Sequence, residues 1–273
     1  MEIIILIAVA ALLLFIAYKS KRITPANVVF ISGILKTGKT QLTLWQAFKD
    51  YEIRYRKWWL GYIFLKSKKC DKPVFYSNVQ LNLPQWVNVC WLSHDHLLRK
   101  TRLAPNCVTF IDELALVARS SDWTDKEVSD VLTDFIKLYC HETWNGAIYC
   151  DSQNLGDLHH SFKRCISTYY FIHSQNKWLP GYVIMHIKEM MVDPINSDQS
   201  LDRISNGSRQ DVSTTLRWCL CPKKVWKWYD RFTYSILTDD LPIEAVSQPR
   251  TKNLKTKLVL RLKLGGKKHE KRE

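Results

Sequence analysis

The sequence predicts an α/β fold: a parallel sheet flanked by helices, with an apolar helix before it and antiparallel strands after it. Three observations carry this reading. Short β-branched runs alternate with stretches of helical spacing, the pattern of strand–helix–strand units. A glycine-containing loop joins the first such strand to the first such helix. An unbroken apolar run of fifteen residues, Ile3 to Ala17, lies ahead of both.

The 273 residues allow one large domain or two small ones, long enough for a core without disulfides. Hydrophobic residues at 46% and aromatics at 12% exclude a mainly disordered chain. Nine Gly and nine Pro exclude a collagen-like protein. The formal charge is +14, which suggests an anionic partner. It is unevenly spread: +2 over residues 1–22, +5 over 49–72, +8 over 250–273, and about −1 elsewhere. The expected domains are an anchor with its basic flank (1–22), a nucleotide-binding domain (23–248) and a basic strand and tail (249–273). The eight cysteines include no Cys-x-x-Cys pair and read as buried free thiols.

The run Ile3 to Ala17 reads as an uncleaved membrane anchor, with a cleaved leader and a buried soluble helix as the alternatives. It is short for a hydrocarbon core of ~30 Å, and Tyr18 and Lys19 can extend it. A cleaved leader would need a positive start, and here the start is Met1-Glu2. Lys19, Lys21 and Arg22 follow the run, so the amino terminus is expected outside and the remainder in the cytoplasm.

Asn27-Val-Val-Phe-Ile-Ser32 reads as a buried parallel strand. It leads into Gly33-Ile34-Leu35-Lys36-Thr37-Gly38-Lys39-Thr40, then Gln41, which matches G-x-x-x-x-G-K-[ST] at every fixed position. Leu42, Trp45 and Phe48 follow at helical spacing. Strand, loop and helix start together form a phosphate cradle of backbone N–H groups. Lys39 is expected at the β- and γ-phosphates, and Thr40 at Mg²⁺. The fold class is therefore a P-loop NTPase, a RecA-like parallel sheet, with ATP and Mg²⁺ as the expected cofactors.

Cys107-Val-Thr-Phe-Ile-Asp112-Glu113 is an apolar strand ending in two carboxylates. Asp112 is expected to hold the metal, and Glu113 to take a proton from the attacking water. A third strand, Gly146 to Ser152, ends at Gln153, a candidate sensor of the γ-phosphate or an ordinary strand-end residue. Ser167 to His173 and Val74 to Ser77 are further strands, and Val128 to Tyr139 a helix.

Taken together, these residues resemble the zonula occludens toxin-like family, the P-loop assembly ATPases of filamentous phages, on the FtsK/HerA-like branch. The resemblance runs over roughly residues 26–232. It rests on the two nucleotide motifs, a second strand ending in Asn78, a helix ending at His141, Gln153, and the late segment Val225-Trp-Lys-Trp-Tyr-Asp230. It implies an inner-membrane ATPase that works as a homo-oligomeric ring and moves single-stranded phage DNA or coat proteins through the envelope. In such rings a neighbouring subunit supplies an arginine, for which Arg119 and Arg164 are candidates. A conjugative-type DNA-pumping ATPase, or a nucleotide-binding membrane scaffold without turnover, would share much of this pattern.

The basic periphery leaves alternatives open. Residues 51–69 interleave Arg and Lys with Trp58, Trp59, Tyr55 and Tyr62. That composition suits a core helix with solvated charges, a membrane-surface helix or a DNA contact. Residues 193–211 read as a polar loop between late antiparallel strands. Leu254 to Leu264 alternates leucine with basic residues, a strand with one basic face.

Overall fold

The computed structural model describes residues 9, 11–12, 14–15, 27–34, 36–65, 71–117, 134–139, 141–153, 158, 160–190 and 214–229. The chain divides into two units, Met1–Thr238 and Asp239–Glu273, and the second lies wholly outside the described residues. The expected basic strand at 254–264, the loop at 193–211 and Arg119 also lie outside them.

One eight-stranded sheet organises the first unit. In chain order its strands are β1 (Val28–Gly33), β2 (Phe75–Ser77), β3 (Val89–Trp91), β4 (Val108–Ile111), β5 (Ala147–Ser152), β6 (Thr168–Asn176), β7 (Tyr182–Met190) and β8 (Thr214–Pro222). Their spatial order is β3-β2-β4-β5-β1-β6-β7-β8. Neighbours from β3 to β6 pair in parallel. The β6–β7 and β7–β8 pairs are antiparallel. This mixed sheet with its parallel centre is the arrangement of a P-loop NTPase, and β5 sits between the loop strand β1 and the acidic strand β4.

The central strands are apolar because both faces are covered. Period two sorts their residues. Val29, Ile31, Val108, Phe110 and Tyr149 pack on one side with Leu42, Ala47 and Tyr51 of helix α1 (Lys39–Leu65). Val28, Phe30, Ile111, Ile148 and Cys150 pack on the other with Phe135, Tyr139 and Phe162. The same alternation carries Asp112, just past β4, and Asp151, on β5, to the α1 side. Cys107, Cys150, Cys219 and Cys221 are buried free thiols, and Cys219 and Cys221 lie on one side of β8, as the alternation predicts.

Helix α1 has 27 residues, about 40 Å of helix, and outruns the sheet it covers. Tyr51 is fully buried, whereas Trp59, Leu60, Tyr62 and Ile63 are exposed. Over residues 51–63 the basic aromatic stretch is therefore neither wholly core nor wholly surface.

The expected membrane anchor is corrected. Among the described residues, no helix is long and apolar enough to cross a membrane. The longest, α1, carries Lys49, Asp50, Glu52, Arg54, Arg56 and Lys57 along its middle. Of the apolar run Ile3 to Ala17, only Val9, Ala11, Leu12, Leu14 and Phe15 are described. Phe15 sets its ring edge-to-face against Trp218 of β8, at 6.4 Å between centroids. A single-pass topology with the amino terminus outside is not supported. Strand β3, only three residues long, was not anticipated from the sequence.

Candidate active site

The loop after β1 is shaped by its own residues. Thr37 donates both its N–H (3.2 Å) and its hydroxyl (2.6 Å) to the Ile34 carbonyl, closing a tight turn. Lys36 and Gly38 are left-handed, with φ of +67° and +81°. A Cβ at Gly38 would lie 2.8 Å from Met185 Cε, so this glycine serves both a backbone angle and a close approach. From β6, Gln175 Nε2 donates to the Lys36 carbonyl at 2.7 Å. Helix α1 then begins, with Leu42 N–H on Gly38 O at 3.0 Å.

The acidic residues meet this loop at the strand ends. Lys39 Nζ donates to Glu113 Oε2 at 2.8 Å, and Lys39 is only 8% exposed. Glu113 Oε1 accepts from Ser152 Oγ and from the Gln153 N–H, both at 3.3 Å. Glu113 is left-handed, with φ of +49°. That conformation costs a non-glycine residue about 1–2 kcal/mol. Hydrogen bonds from Lys39, Ser152 and Gln153 to its side chain offset the cost.

A third carboxylate stands among them. Asp151 is fully buried. Its Oδ2 accepts from Thr40 Oγ1 at 2.8 Å, and its Oδ1 from the Glu113 N–H at 3.2 Å. Asp112 is held from two sides. Asn78, just after β2, grips its backbone, donating to Asp112 O at 3.0 Å and accepting from Asp112 N–H at 2.8 Å. The Tyr229 hydroxyl donates to Asp112 Oδ2 at 2.7 Å.

This crowding is electrostatically unfavourable without a cation. Burial pushes the Asp151 carboxyl well above the usual carboxylate range, and the Asp112 charge pushes it further, against Lys39 and Thr40. Burial raises Asp112 also, against hydrogen bonds involving Tyr229 and Asp151. A carboxyl with a raised folded-state pKa holds its proton in the folded chain over a window where the unfolded chain has lost it. Stability thus falls as pH rises from about 4 through the raised value. The thermal midpoint of the nucleotide-free protein is expected to decline across that window, and Asp151→Asn to decline less steeply. Parallel melting curves for the two chains would contradict this.

The donor set fits Mg²⁺. Mg²⁺ takes hard oxygen ligands and keeps several waters and phosphate oxygens. The Thr40 hydroxyl and the Asp112 carboxylate are such ligands. The Thr40 proton is engaged by Asp151, which leaves its oxygen lone pairs available. Two acids raised above their usual range are a site that a cation would relieve. Among the described residues, no group of three or more His, Cys, Asp or Glu is arranged to hold a metal alone, so the phosphates would have to complete the shell. Bound there, Mg²⁺ would neutralise charge developing on the phosphates.

The structure therefore brings Gly33, Ile34, Lys36, Thr37, Gly38, Lys39, Thr40, Gln41, Asp112 and Glu113 to one end of the central strands. Leu35 is outside the described residues. Gln153 is there too, but it is exposed and reaches Glu113 through its backbone N–H. Arg164 lies in a helix, His160–Cys165, and its side chain is not among those described. Sequence reasoning missed Asp151 and Ser152, and did not place Tyr229 or Asn78 in the site. The available signal for Asp151 was a carboxylate inside an otherwise apolar strand.

No protein-family model matches the chain, and no curated protein matches it. Among solved structures it is similar to the N-terminal domain of the zonular occludens toxin from Neisseria meningitidis. Identity there is 14% over 76% of this chain and 100% of that one, at a TM-score of 0.38. It is also similar to the genome packaging NTPase B204 of Sulfolobus turreted icosahedral virus 2. In complex with AMPPCP that protein is 10% identical over 71% of this chain and 98% of its own, at a TM-score of 0.38. In complex with AMP the values are 12%, 71%, 98% and 0.35.

Proposed function

We propose that the protein is an Mg²⁺-dependent ATPase of the P-loop class that drives filamentous-phage assembly. It would act as a homo-oligomeric ring on single-stranded phage DNA or coat proteins. The observation that carries the hydrolase reading is the meeting of Lys39, Thr40 and Glu113 within one set of hydrogen bonds linked through Asp151, with Asp112 beside it. The phage assignment rests on the resemblance of the motifs and their order.

In this reading Lys39 leaves Glu113 and engages the β- and γ-phosphates as nucleotide enters. Glu113, freed, accepts a proton from water while the water oxygen attacks the γ-phosphorus. The bond to the bridging oxygen breaks, and its electron pair leaves with ADP. The purified protein should release phosphate from ATP only when Mg²⁺ is present. Release at the same rate in excess chelator, or no release and no nucleotide binding, would refute the reading. For the motor assignment, single-stranded DNA or coat subunits should raise the turnover rate, and neither doing so would leave an ATPase without that role.

A further inference from the structure

We propose that Asp151 is a positioning residue that sets the Thr40 hydroxyl and the Glu113 backbone together, coupling the phosphate loop to the acidic strand; this rests on the ATPase reading above. The sheet order makes the role available. β5 lies hydrogen-bonded between β1 and β4, so a side chain near its end can reach the loop on one side and the acidic pair on the other. Asp151 does both, with one oxygen on each. The two groups it holds belong to different segments, 111 and 38 residues before it in the chain.

The fold alone does not call for an acid here. The β5 residues Ala147, Ile148, Tyr149 and Cys150 are buried, and an uncharged side chain would be better tolerated between Asp112 and Glu113. The competing role is a structural anchor for the start of α1, where an acidic side chain suits the helix dipole. The two roles differ in what asparagine can replace. An anchor needs one acceptor, which the Asn carbonyl supplies. The double bridge needs two acceptors, and an amide offers one oxygen and one donor.

The test compares the full chain with its Asp151→Asn and Asp151→Ala variants by three measurements. The first is backbone hydrogen exchange over residues 108–117 without nucleotide. The second is binding of a fluorescent ATP analogue in Mg²⁺ and in chelator. The third is turnover. Asp151→Asn is expected to melt no lower than the parent at neutral pH. It should exchange faster over 108–117, bind within about twofold of the parent in chelator, and lose at least about tenfold of both the Mg²⁺ enhancement and kcat. Asp151→Ala should show the same losses or larger ones. Parent-like exchange and Mg²⁺ enhancement in a folded Asp151→Asn would overturn the proposal. So would a large drop in the melting temperature of Asp151→Ala without loss of Mg²⁺ enhancement, the mark of an anchor. If the parent itself binds no nucleotide, the ATPase reading falls and takes the catalytic half with it. The exchange measurement still decides the bridge.

Discussion

Lys39→Ala is expected to abolish ATP turnover, with a fall of at least ~10²–10³ in rate, the scale for losing one preorganised charge-stabilising group. Two losses combine. The first is the ammonium that would meet the phosphates at the end of the loop. The second is visible without nucleotide: Lys39 Nζ lies 2.8 Å from Glu113, and its charge opposes the raised pKa of Asp151. Removing it leaves Asp112, Glu113 and Asp151 facing one another without that cation. Nucleotide affinity should therefore fall along with turnover. Phosphate release and titration with a fluorescent ATP analogue measure the two effects. Circular dichroism checks that the variant folds, since deleting one member of a partly buried pair also destabilises. A folded variant that turns over within about threefold of the parent would remove Lys39 from the machinery.

How much of this was legible in the sequence depended on how local each feature is. The phosphate loop is eight contiguous residues with fixed glycines, and its strand and helix flanks are periodic on their own. The Asp112–Glu113 pair follows directly from an apolar run. Both can be read from the sequence, and the structure brings them together at one end of the central strands. Asp151 was not found because its strand shows a lone carboxylate but not what that carboxylate meets. Its partners, Thr40 and Glu113, are brought to it by the order of β1, β5 and β4, which is a property of the sheet. Tyr229 depends likewise on a late segment returning to Leu81, where the two form an isolated bridge.

The anchor reading, and the alternatives left open at 51–69, have the same origin. Hydropathy registers the apolar run Ile3 to Ala17 but not that Phe15 meets the ring of Trp218. Residues 51–63 share one kind of composition but have two environments. Helix α1 extends past the edge of its sheet, so Tyr51 is covered and Tyr62 is not. Length relative to a neighbouring element is not written in a periodicity.

Glu113→Gln is expected to separate binding from chemistry. The amide cannot accept the proton from water, so turnover should fall roughly 10²–10⁴-fold, the contribution of a positioned general base. Binding should move the other way. In the nucleotide-free protein the Glu113 carboxylate holds Lys39, and nucleotide must displace it before Lys39 can engage phosphate. A neutral amide holds Lys39 less firmly, because the ammonium then meets a dipole instead of a full negative charge. The variant should therefore bind ATP at least as tightly as the parent, and more tightly if opening the pair limits affinity. Single-turnover hydrolysis and equilibrium binding on the same preparation distinguish the possibilities. Slow turnover with weakened binding would mean that Glu113 chiefly orients Lys39. Parent-like turnover would move the base to another group. Slow turnover with binding held or tightened is the result that makes Glu113 both the restraint on Lys39 before nucleotide arrives and the base once it is bound.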